Sequence, residues 1–449
     1  MGLHHLCAAG CFAVAWAAGA FAADLTPSGA ERAGSADAAI PAWGGSEAAP
    51  AGWSRGKPRL DFARTKAEKP LFSIDAGNVD KYADKLSPGQ LQTFKRFPQH
   101  RMDVYPSHRN CGNPDFVDAN SQKNLTTAKL NADGTALAQA NLPGVPFPQP
   151  KNGNEAIWNF LMRYQGVGIV WPQVFSFLTA RAGSNEPLLV YGPQSYYFPW
   201  GAKGTTTPEG TNQLYFAFSY AYEQPVALAG QALVQRFYYD KPSETFYYFP
   251  GQRRVRRMPT YAYDAPILGY ENQYMVDESF LFYGNPDRFD WKLVGKKEMY
   301  VPNNNFGMYD ASVKVDKLVQ NGTLNTALRR YELHRVWVVE AMVKSGMRHL
   351  APKRTFYLDE DSWIAVVAEQ YDGQGKLWKA KESYPIPVWE LGACASTTFM
   401  QLDFTSGRLL LDLSPLTTGK EMYWSVDGKE PMLNSTFYSS EQLQSRSER

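Results

Sequence analysis

Residues 214–224 have the sequence LYFAFSYAYEQ, in which large aromatic side chains alternate with mostly small ones. Every second position of this segment carries a ring: Phe216, Phe218, Tyr220 and Tyr222. Because successive side chains of a β-strand point to opposite faces, the alternation predicts a strand with one aromatic face. The other face carries Ala217, Ser219 and Ala221, whose small size suits close packing of a helix or lid.

The period of two continues along the chain from about residue 188. Further strands are predicted at residues 234–240, 245–249, 253–258, 280–283, 296–301, 333–341, 353–358, 363–371, 377–384, 399–404 and 408–413. Short turns, such as residues 240–244 and 372–375, join several of these strands without a helix between them. Strands connected in this way form an antiparallel meander, and the lack of intervening helices excludes a βαβ architecture.

Two helices are predicted before the strands. One follows Ser87, which can cap it, with Gln90 completing a capping box. The other covers residues 154–165 after the cap Asn154, and four apolar side chains share one face: Ile157, Phe160, Leu161 and Tyr164. A long meander must hide its edges. The expected fold is therefore mainly β, of the α+β class, with a large curved antiparallel sheet or half-open barrel and helices packed over its concave side.

The composition is that of a globular protein with many rings. Hydrophobic residues make up 44% and charged residues 20% of the 449 residues, while the aromatic share of 14% favours strands and apolar pockets. The net charge of +2 gives no electrostatic reason to expect a nucleic-acid partner.

Residues 1–22 resemble a signal peptide. The run from Leu6 to Ala22 contains no Lys, Arg, Asp or Glu and ends in a small-x-small pattern, which predicts cleavage before Ala23. The alternative is an uncleaved membrane anchor, for which the run is short. Residues 23–70, rich in Ala, Gly, Pro and Ser, are expected to form an extended N-terminal segment, and residues 71–449 a single large β-rich domain with N-terminal helices.

Cleavage would leave two cysteines, Cys111 and Cys394. In an oxidising compartment they are expected to form one disulfide bond that closes a long loop. The alternative is two unpaired buried thiols.

No catalytic, cofactor or metal site is predicted. The four histidines of the mature chain have no metal-ligand spacing and are interpreted as surface or loop residues: His100, His108, His334 and His349. Neither a serine-hydrolase elbow nor a nucleotide-binding loop occurs. Acidic clusters occupy residues 277–278 and 359–361, but adjacent strand residues point to opposite faces, so neither cluster alone supplies a catalytic carboxylate pair. Residues 359–361 are expected to form a solvated turn.

Two binding features remain. On a strand Arg254 and Arg256 share one face, which predicts contact with an anion such as a lipid phosphate, a carboxylate or an acidic partner. The alternative is a polar strand paired to neighbouring acids. The aromatic set of residues 214–222 is expected to line a cavity together with three more rings of the meander: Tyr238, Phe246 and Tyr248. The alternative is ordinary core packing, because a cavity also requires that the side chains do not fill it.

Several longer motifs resemble the DUF1329 family of secreted bacterial proteins. They are LTPSGAERAG at residues 25–34, PFP at 146–148 with KNG at 151–153, the run 283–304, DEDSW at 359–363 and QYDG at 370–373. The strand, turn and basic strand of residues 237–259 are also similar to a hairpin of the Lol-type lipoprotein carriers. In those carriers a half-open antiparallel barrel surrounds an apolar cavity with helices as a lid.

The predicted signal peptide, the aromatic meander, the lack of a catalytic motif and this resemblance together favour a periplasmic protein that binds or carries a lipid or other apolar small molecule and is not an enzyme. The resemblance also implies a membrane exporter of the resistance-nodulation-division type as a partner. Two alternatives stay open: a periplasmic hydrolase acting on a polysaccharide or lipid, and a structural adaptor of an export complex.

Overall fold

The computed structural model describes residues 24–448. The signal peptide expected at residues 1–22 and its cleavage before Ala23 lie outside the described residues. Within residues 24–448, no helix has both the length and the apolar character needed to cross a bilayer.

The described residues contain four α-helices and 22 strands. The helices are α1 (Pro88–Arg96), α2 (Asp115–Thr127), α3 (Gly153–Leu161) and α4 (Ser440–Ser447). The strands are β1 (Phe72–Asp75), β2 (Arg101–Val104), β3 (Lys129–Leu130), β4 (Leu137–Gln139), β5 (Gly168–Leu178), β6 (Leu188–Tyr197), β7 (Leu214–Ala221), β8 (Ala232–Tyr238), β9 (Glu244–Phe249), β10 (Arg254–Arg257), β11 (Phe289–Pro302), β12 (Val319–Gln320), β13 (Thr323–Leu324), β14 (Tyr331–Val343), β15 (Lys353–Asp359), β16 (Ala365–Tyr371), β17 (Leu377–Ser383), β18 (Ile386–Val388), β19 (Ala393–Ala395), β20 (Phe399–Asp403), β21 (Leu409–Ser414) and β22 (Tyr423–Ser425).

Sixteen strands form one sheet. Its order is β1-β2-β14-β15-β16-β17-β20-β21-β5-β6-β7-β8-β9-β10, with β11 paired to β14 and β22 to β5. The pairings are antiparallel apart from the contact of β2 with β14. Strands β10 and β11 are not paired with each other in the described structure, so the sheet remains open. This arrangement confirms the predicted mainly β fold with a large, predominantly antiparallel sheet.

The sheet curves around residues 258–288, which connect β10 to β11 and are called the inner segment below. The ring of Phe282 lies 5.8 Å from that of Phe356 in β15, and the ring of Tyr283 lies 4.9 Å from that of Phe237 in β8. Eight strand spacings separate β15 from β8 in the sheet order. A flat sheet would place these strands about 38 Å apart, further than two neighbouring residues can span. The sheet face in contact with the inner segment is therefore concave, and we call it the inner face.

The helices divide between the two faces. Helix α3 packs on the inner side against β11 and β14, as predicted, and its first residue is a glycine because a Cβ on Gly153 would lie 2.3 Å from the backbone carbonyl carbon of Trp291. Helix α4 packs on the outer side against β8, β9 and β10. There it meets the small-residue face predicted for β7, because Ala217 belongs to the same apolar cluster as Leu443 of α4.

Local signals predicted α1 accurately and α3 less so. Ser87 caps α1, and the reciprocal bond expected from Gln90 is present. Helix α3 begins after Asn152 rather than Asn154, because the side chain of Asn152 accepts a hydrogen bond from the backbone N–H of Glu155 at 3.0 Å.

Two other predictions were wrong. Residues 280–283 are not a strand, because Phe280 and Leu281 are the last two residues of a 3-10 helix, Val276–Leu281, in the inner segment. Strand β5 was missed because most of its residues are buried on both faces, which removes the alternation, and a bulge between Trp171 and Val174 interrupts its register.

Candidate ligand-binding site on the inner face

The predicted aromatic face of β7 lies on the inner face of the sheet. Phe218, Tyr220 and Tyr222 line one internal cavity, and Phe216 lines a second. A register shift between Leu214 and Phe216 departs from simple alternation, and Tyr215 joins Phe216 in the inner apolar cluster. The structure therefore brings the four predicted β7 rings to one concave surface.

Three other predicted cavity residues face the opposite side. Phe246 and Tyr248 belong to the apolar cluster beneath α4. The register of β8 with β9 pairs Leu233 with Tyr247, so Tyr247 points inward and its two neighbours point outward. Sequence could not show this orientation because residues 246–248 are all aromatic and do not alternate.

Tyr238 likewise faces away from the inner face. It follows Phe237, whose ring stacks on that of Phe216 with 4.4 Å between centroids, so alternation turns Tyr238 to the other side of β8. Its hydroxyl donates a hydrogen bond to Glu244 at 2.8 Å. The prediction that Tyr238, Phe246 and Tyr248 line the same cavity as the β7 rings was wrong.

The two cavities are small. Their volumes are about 50 Å³ and about 30 Å³, room for a few water molecules and far below the roughly 300 Å³ at which pockets for drug-sized ligands begin. Tyr196 of β6 and Tyr283 of the inner segment line both cavities and so form the wall between them. Most of the concave interior is therefore filled by side chains of the inner segment.

The backbone of the inner segment is strained. Five of its non-glycine residues have a positive φ between 51° and 74°: Tyr263, Glu271, Asn272, Phe280 and Leu281. This conformation is uncommon for bulky side chains and persists only when surrounding contacts hold it. Phe280 and Leu281 are adjacent and both are buried, so contacts with the sheet hold the most strained part of the segment in place.

Five buried charges join the inner segment to the sheet, and we call them the inner ionic cluster: Asp277, Glu278, Arg354, Lys379 and Lys381. Asp277 accepts a hydrogen bond from Arg354 Nη2 at 2.9 Å. Glu278 accepts two from Lys379 Nζ, at 2.8 and 3.1 Å, while Lys381 Nζ lies 3.4 Å from Glu278 Oε1. Each of the three cations is 0% exposed.

Burial and charge act against each other in this cluster. Burial alone would raise the pKa of Glu278, but Lys379 and Lys381 lower it to about 2. Burial lowers the pKa of Lys381 to about 7, because the carboxylates of Glu278 and, more weakly, Asp277 only partly offset the loss of water and the repulsion from Lys379 and Arg354. The carboxylates are thus well stabilised as anions, whereas Lys381 is poorly stabilised as a cation.

Several polar atoms around the cluster have no hydrogen-bond partner among the described residues. They are Nε and Nη1 of Arg354, Nζ of Lys381, both amide atoms of Gln370 and Oε1 of Gln401. Gln370 stands between Arg354 and Lys379 across β15, β16 and β17, and Gln401 stands opposite Lys381 on β20. The inner face therefore presents a patch with four unsatisfied donor atoms, on Arg354, Lys381 and Gln370, beside two unsatisfied amide oxygens, those of Gln370 and Gln401.

The first cavity also contains a buried carboxyl group. Asp412 accepts a hydrogen bond from Ser176 Oγ, which also contacts the hydroxyl of Tyr270 at 2.8 Å. Burial raises the pKa of Asp412. Asp412 is the one carboxylate among the described residues that line the two cavities, so these cavities do not offer the pair of carboxylates that a glycosidase needs.

Arg254 and Arg256 lie on the edge strand β10 and are exposed. Their partners on β9 are Phe249 and Tyr247, and cross-strand partners share a face. Because Tyr247 belongs to the inner apolar cluster, both arginines lie on the inner side at the open rim of the sheet.

Residues 359–361 are a turn between β15 and β16, but the prediction that this turn is solvated was wrong. Asp359, Glu360 and Asp361 are buried, because the N-terminal segment covers them. Arg109 donates hydrogen bonds to both carboxylate oxygens of Asp361, at 3.0 and 2.7 Å, and to the backbone carbonyls of residues 31 and 33.

His334 takes part in this burial and contradicts the interpretation as a surface or loop residue, because it lies within β14. His334 is buried between Asp359 and Glu332, with nitrogen–oxygen distances of 3.0 and 3.2 Å. His100 is also buried, and the ring of His349 contacts Asp277 at 2.9 Å. Residues 24–448 contain no group of three or more His, Cys, Asp or Glu side chains placed to hold a metal ion.

Cys111 and Cys394 are joined by a disulfide bond, with 5.2 Å between their Cα atoms. The bond connects chain positions 283 residues apart. It lies beside the N-terminal segment, because Trp43 donates a hydrogen bond to the backbone carbonyl of Cys111 at 2.7 Å.

Comparison with known proteins identifies relatives. A protein from Pseudomonas aeruginosa described as uncharacterized protein PA3922 is 40% identical over 392 residues, which covers 86% of this chain and 84% of that protein. The putative outer membrane lipoprotein-sorting protein domain from Vibrio parahaemolyticus has a TM-score of 0.44 at 12% identity, over 65% of this chain and 97% of that one. A DUF1329 family protein from Desulfovibrio piger has a TM-score of 0.41 at 12% identity, over 62% of this chain and 92% of that one.

The family model for proteins of unknown function DUF1329 matches residues 73–444, which include every strand of the sheet except the first residue of β1. With this match and the relative from P. aeruginosa, the chain belongs to the DUF1329 family.

Proposed function

We propose that this protein is a periplasmic carrier that binds a lipid or other apolar molecule on the inner face of its sheet after the inner segment has moved aside. The proposal rests on how the aromatic inner surface of strands β5 to β9, called the aromatic wall below, is covered. In a sandwich, a second sheet would pack on such a wall. Here Tyr196, Phe216 and Phe237 pack against Tyr283 of a single connecting segment.

The inner segment has the properties of a cover that can be displaced. Strained residues lie in it, and its charged contacts with the sheet leave several donors unsatisfied. Movement of Tyr283 would remove one of the two rings, Tyr196 and Tyr283, that separate the cavities. Movement of the whole segment would uncover the aromatic wall, and an acyl chain or a ring system could then pack against its side chains.

The periplasmic location rests on the predicted signal peptide and on the disulfide bond, since disulfides persist in oxidising compartments. A carrier needs neither a cofactor nor a catalytic group. A hydrolase is the weaker candidate, because Asp412 has no second carboxylate beside it among the described lining residues.

Docking to an envelope exporter of the resistance-nodulation-division type is part of the same proposal, in which Arg254 and Arg256 contact a lipid phosphate or an acidic partner at the rim. Crosslinking in intact cells followed by affinity purification would test it. Recovery of an exporter subunit with the unmodified protein, and its loss with the double variant R254Q/R256Q, is expected. The same subunit recovered equally with both proteins would count against a role for the rim arginines.

Native mass spectrometry and solvent extraction of protein purified from the cell envelope test the carrier function directly. We expect a co-purified lipid or apolar molecule and saturable binding of a fluorescent fatty-acid probe. Absence of both a bound molecule and probe binding would refute the proposal.

A further inference from the structure

The inner ionic cluster has an unequal balance of charge. Arg354, Lys379 and Lys381 come from the sheet, whereas the two carboxylates, Asp277 and Glu278, come from the inner segment. His349 borders the cluster: its Nε2 lies 2.9 Å from Oδ2 of Asp277, and its Nδ1 accepts a hydrogen bond from the backbone N–H of Ala351. The cluster thus holds three basic side chains against two carboxylates, and all three basic side chains belong to the proposed ligand-binding surface.

From this arrangement we infer that the carried molecule is an amphiphile with an anionic head group, a carboxylate or a phosphate, that takes the place of Asp277 and Glu278 against Arg354 and Lys381. The inference rests on the proposed carrier function and specifies the chemical class of the cargo. In the closed protein the two carboxylates occupy the position of the ligand's head group.

The requirement for an anion follows from the origin of the charges. If the inner segment moved aside for a neutral lipid, its carboxylates would leave with it and three cations would face an apolar guest. Buried cations without a counter-charge are strongly disfavoured. An anionic head group restores the balance, while its apolar tail covers the aromatic wall.

The donors of the patch suit such a head group. Arg354 has Nε and Nη1 without partners, and departure of Asp277 would free Nη2 as well. Nη2 together with either of the other two nitrogens forms the pair of parallel hydrogen bonds by which a guanidinium binds a carboxylate or phosphate. Gln370 lies directly across from Arg354 in the sheet and has a free amide nitrogen, and Lys381 adds a free ammonium group. An apolar ring borders this patch, because the Arg354 guanidinium lies 5.2 Å from the ring centre of Phe289.

The cluster is close to the proposed binding cavity. Glu278 is followed by Ser279, which lines the first cavity, and the hydroxyl of Ser279 lies 2.5 Å from that of Tyr274. The ring of Tyr274 in turn contacts Phe399 on β20, two residues before Gln401. A tail in the cavity and a head at the cluster would thus belong to one continuous molecule.

Three single-chain probes of equal length test the inference on the mature full-length protein: palmitate, hexadecyl phosphate and hexadecanol. Binding is measured by titration calorimetry below the critical micelle concentration of each probe. The two anions are expected to bind at least about tenfold more tightly than the alcohol, as befits a charge-assisted hydrogen bond. A preference for one anion would identify the head group as carboxylate or phosphate.

Variants test whether the preference for anionic probes arises at the inner ionic cluster. K381M is expected to weaken binding of the better anion about tenfold and to leave hexadecanol unchanged. E278Q is expected to strengthen anion binding, because it weakens the competing contact of the inner segment. K353M is the matched control, since Lys353 precedes Arg354 on β15, points to the other face and is 38% exposed in its side chain. R354K, which keeps the charge and loses the bidentate geometry, serves if K381M fails to fold.

The outcomes separate the inference from the proposed function. If none of the three probes binds and no molecule co-purifies with the protein, the carrier function itself is refuted; if a neutral molecule co-purifies instead, the anionic head group alone is refuted. If hexadecanol binds as tightly as the anions and K381M matches K353M, the carrier function stands and the anionic head group is refuted.

Discussion

Two groups of buried charges lie in this molecule, one at the β15–β16 turn and one beneath the inner segment. At the turn, Arg109 uses Nε and both terminal nitrogens to reach Asp361 and the backbone of the N-terminal segment. Under the inner segment, Arg354 uses one nitrogen, Nη2, and Lys381 forms no hydrogen bond within the described residues. Both groups are equally buried. They differ in how completely their donors are satisfied.

This difference distinguishes a permanent contact from one that can be exchanged. Removing a partner from a fully satisfied buried ion pair leaves an uncompensated charge, so such a pair holds its segments together. Donors that are already unsatisfied lose little when a segment leaves and gain when a better partner arrives. We therefore expect the N-terminal segment to stay attached while the inner segment opens.

The largest expected loss of stability follows from a substitution at the β15–β16 turn. R109M should lower the free energy of unfolding by about 3–5 kcal/mol, because Asp361 would be left buried without its cation. Urea denaturation measures this change, and limited proteolysis should show faster cleavage within residues 24–47. R101M is the control, since Arg101 pairs with Asp103 while its own side chain is 53% exposed. Equal losses in R109M and R101M would contradict the comparison.

A smaller loss of stability is expected from truncating Tyr283, one of the two rings between the cavities. Y283A should reduce the free energy of unfolding by about 3 kcal/mol, as for other buried aromatic truncations, and should strengthen binding of an apolar fluorescent probe. Y248A is the matched control: Tyr248 is similarly buried but packs on the outer side near α4, so stability should fall without a gain in probe binding. A gain in both variants would show that probe binding reports only general loosening.

The turn should also respond to pH. Burial alone would lower the pKa of His334, but hydrogen bonds and charge from Asp359 and Glu332 raise it to about 10. A group whose pKa is raised by folding stabilises the protein fully below its unfolded pKa of about 6.5, and this contribution is lost as pH rises through the folded value. We expect a loss of about 2 kcal/mol between pH 6.5 and 8, and the remainder is lost as the pH approaches 10. In H334Q this part of the pH dependence should disappear, whereas an unchanged slope would assign it to other groups.

The smallest effect is expected at Lys381. K381M should change the free energy of unfolding by less than about 1 kcal/mol, or raise it, because methionine removes a poorly satisfied buried cation and Glu278 keeps both hydrogen bonds from Lys379. K379M should destabilise far more, since it removes those two bonds. If K381M costs as much as R109M, the two groups of charges are alike and the distinction fails.

Local patterns predicted the elements that depend on neighbours in the chain. The capping residues of α1 lie three positions apart, and the alternation in β7 extends over a few residues, so both features are readable without knowing the fold. The inward-facing side of β9 was not readable from the sequence, because four consecutive rings, residues 246–249, remove the alternation and the orientation depends on pairing with β8. The charged residues of β17 offered one neglected signal: Lys379 and Lys381 are two apart in a strand, which places both on the same face.

What the sequence by itself determined is a large, mostly antiparallel sheet with an aromatic strand at residues 214–221, because strand periodicity and capping arise from interactions a few residues apart. Only the tertiary structure decided which face is concave, that residues 258–288 fill it, and that residues 359–361 are buried under the N-terminal segment. Those features depend on contacts between positions such as Asp277 and Arg354, or Arg109 and Asp361, far apart in the chain. A side chain's burial and charge balance are set by whatever the fold brings against it, and no local pattern contains that information.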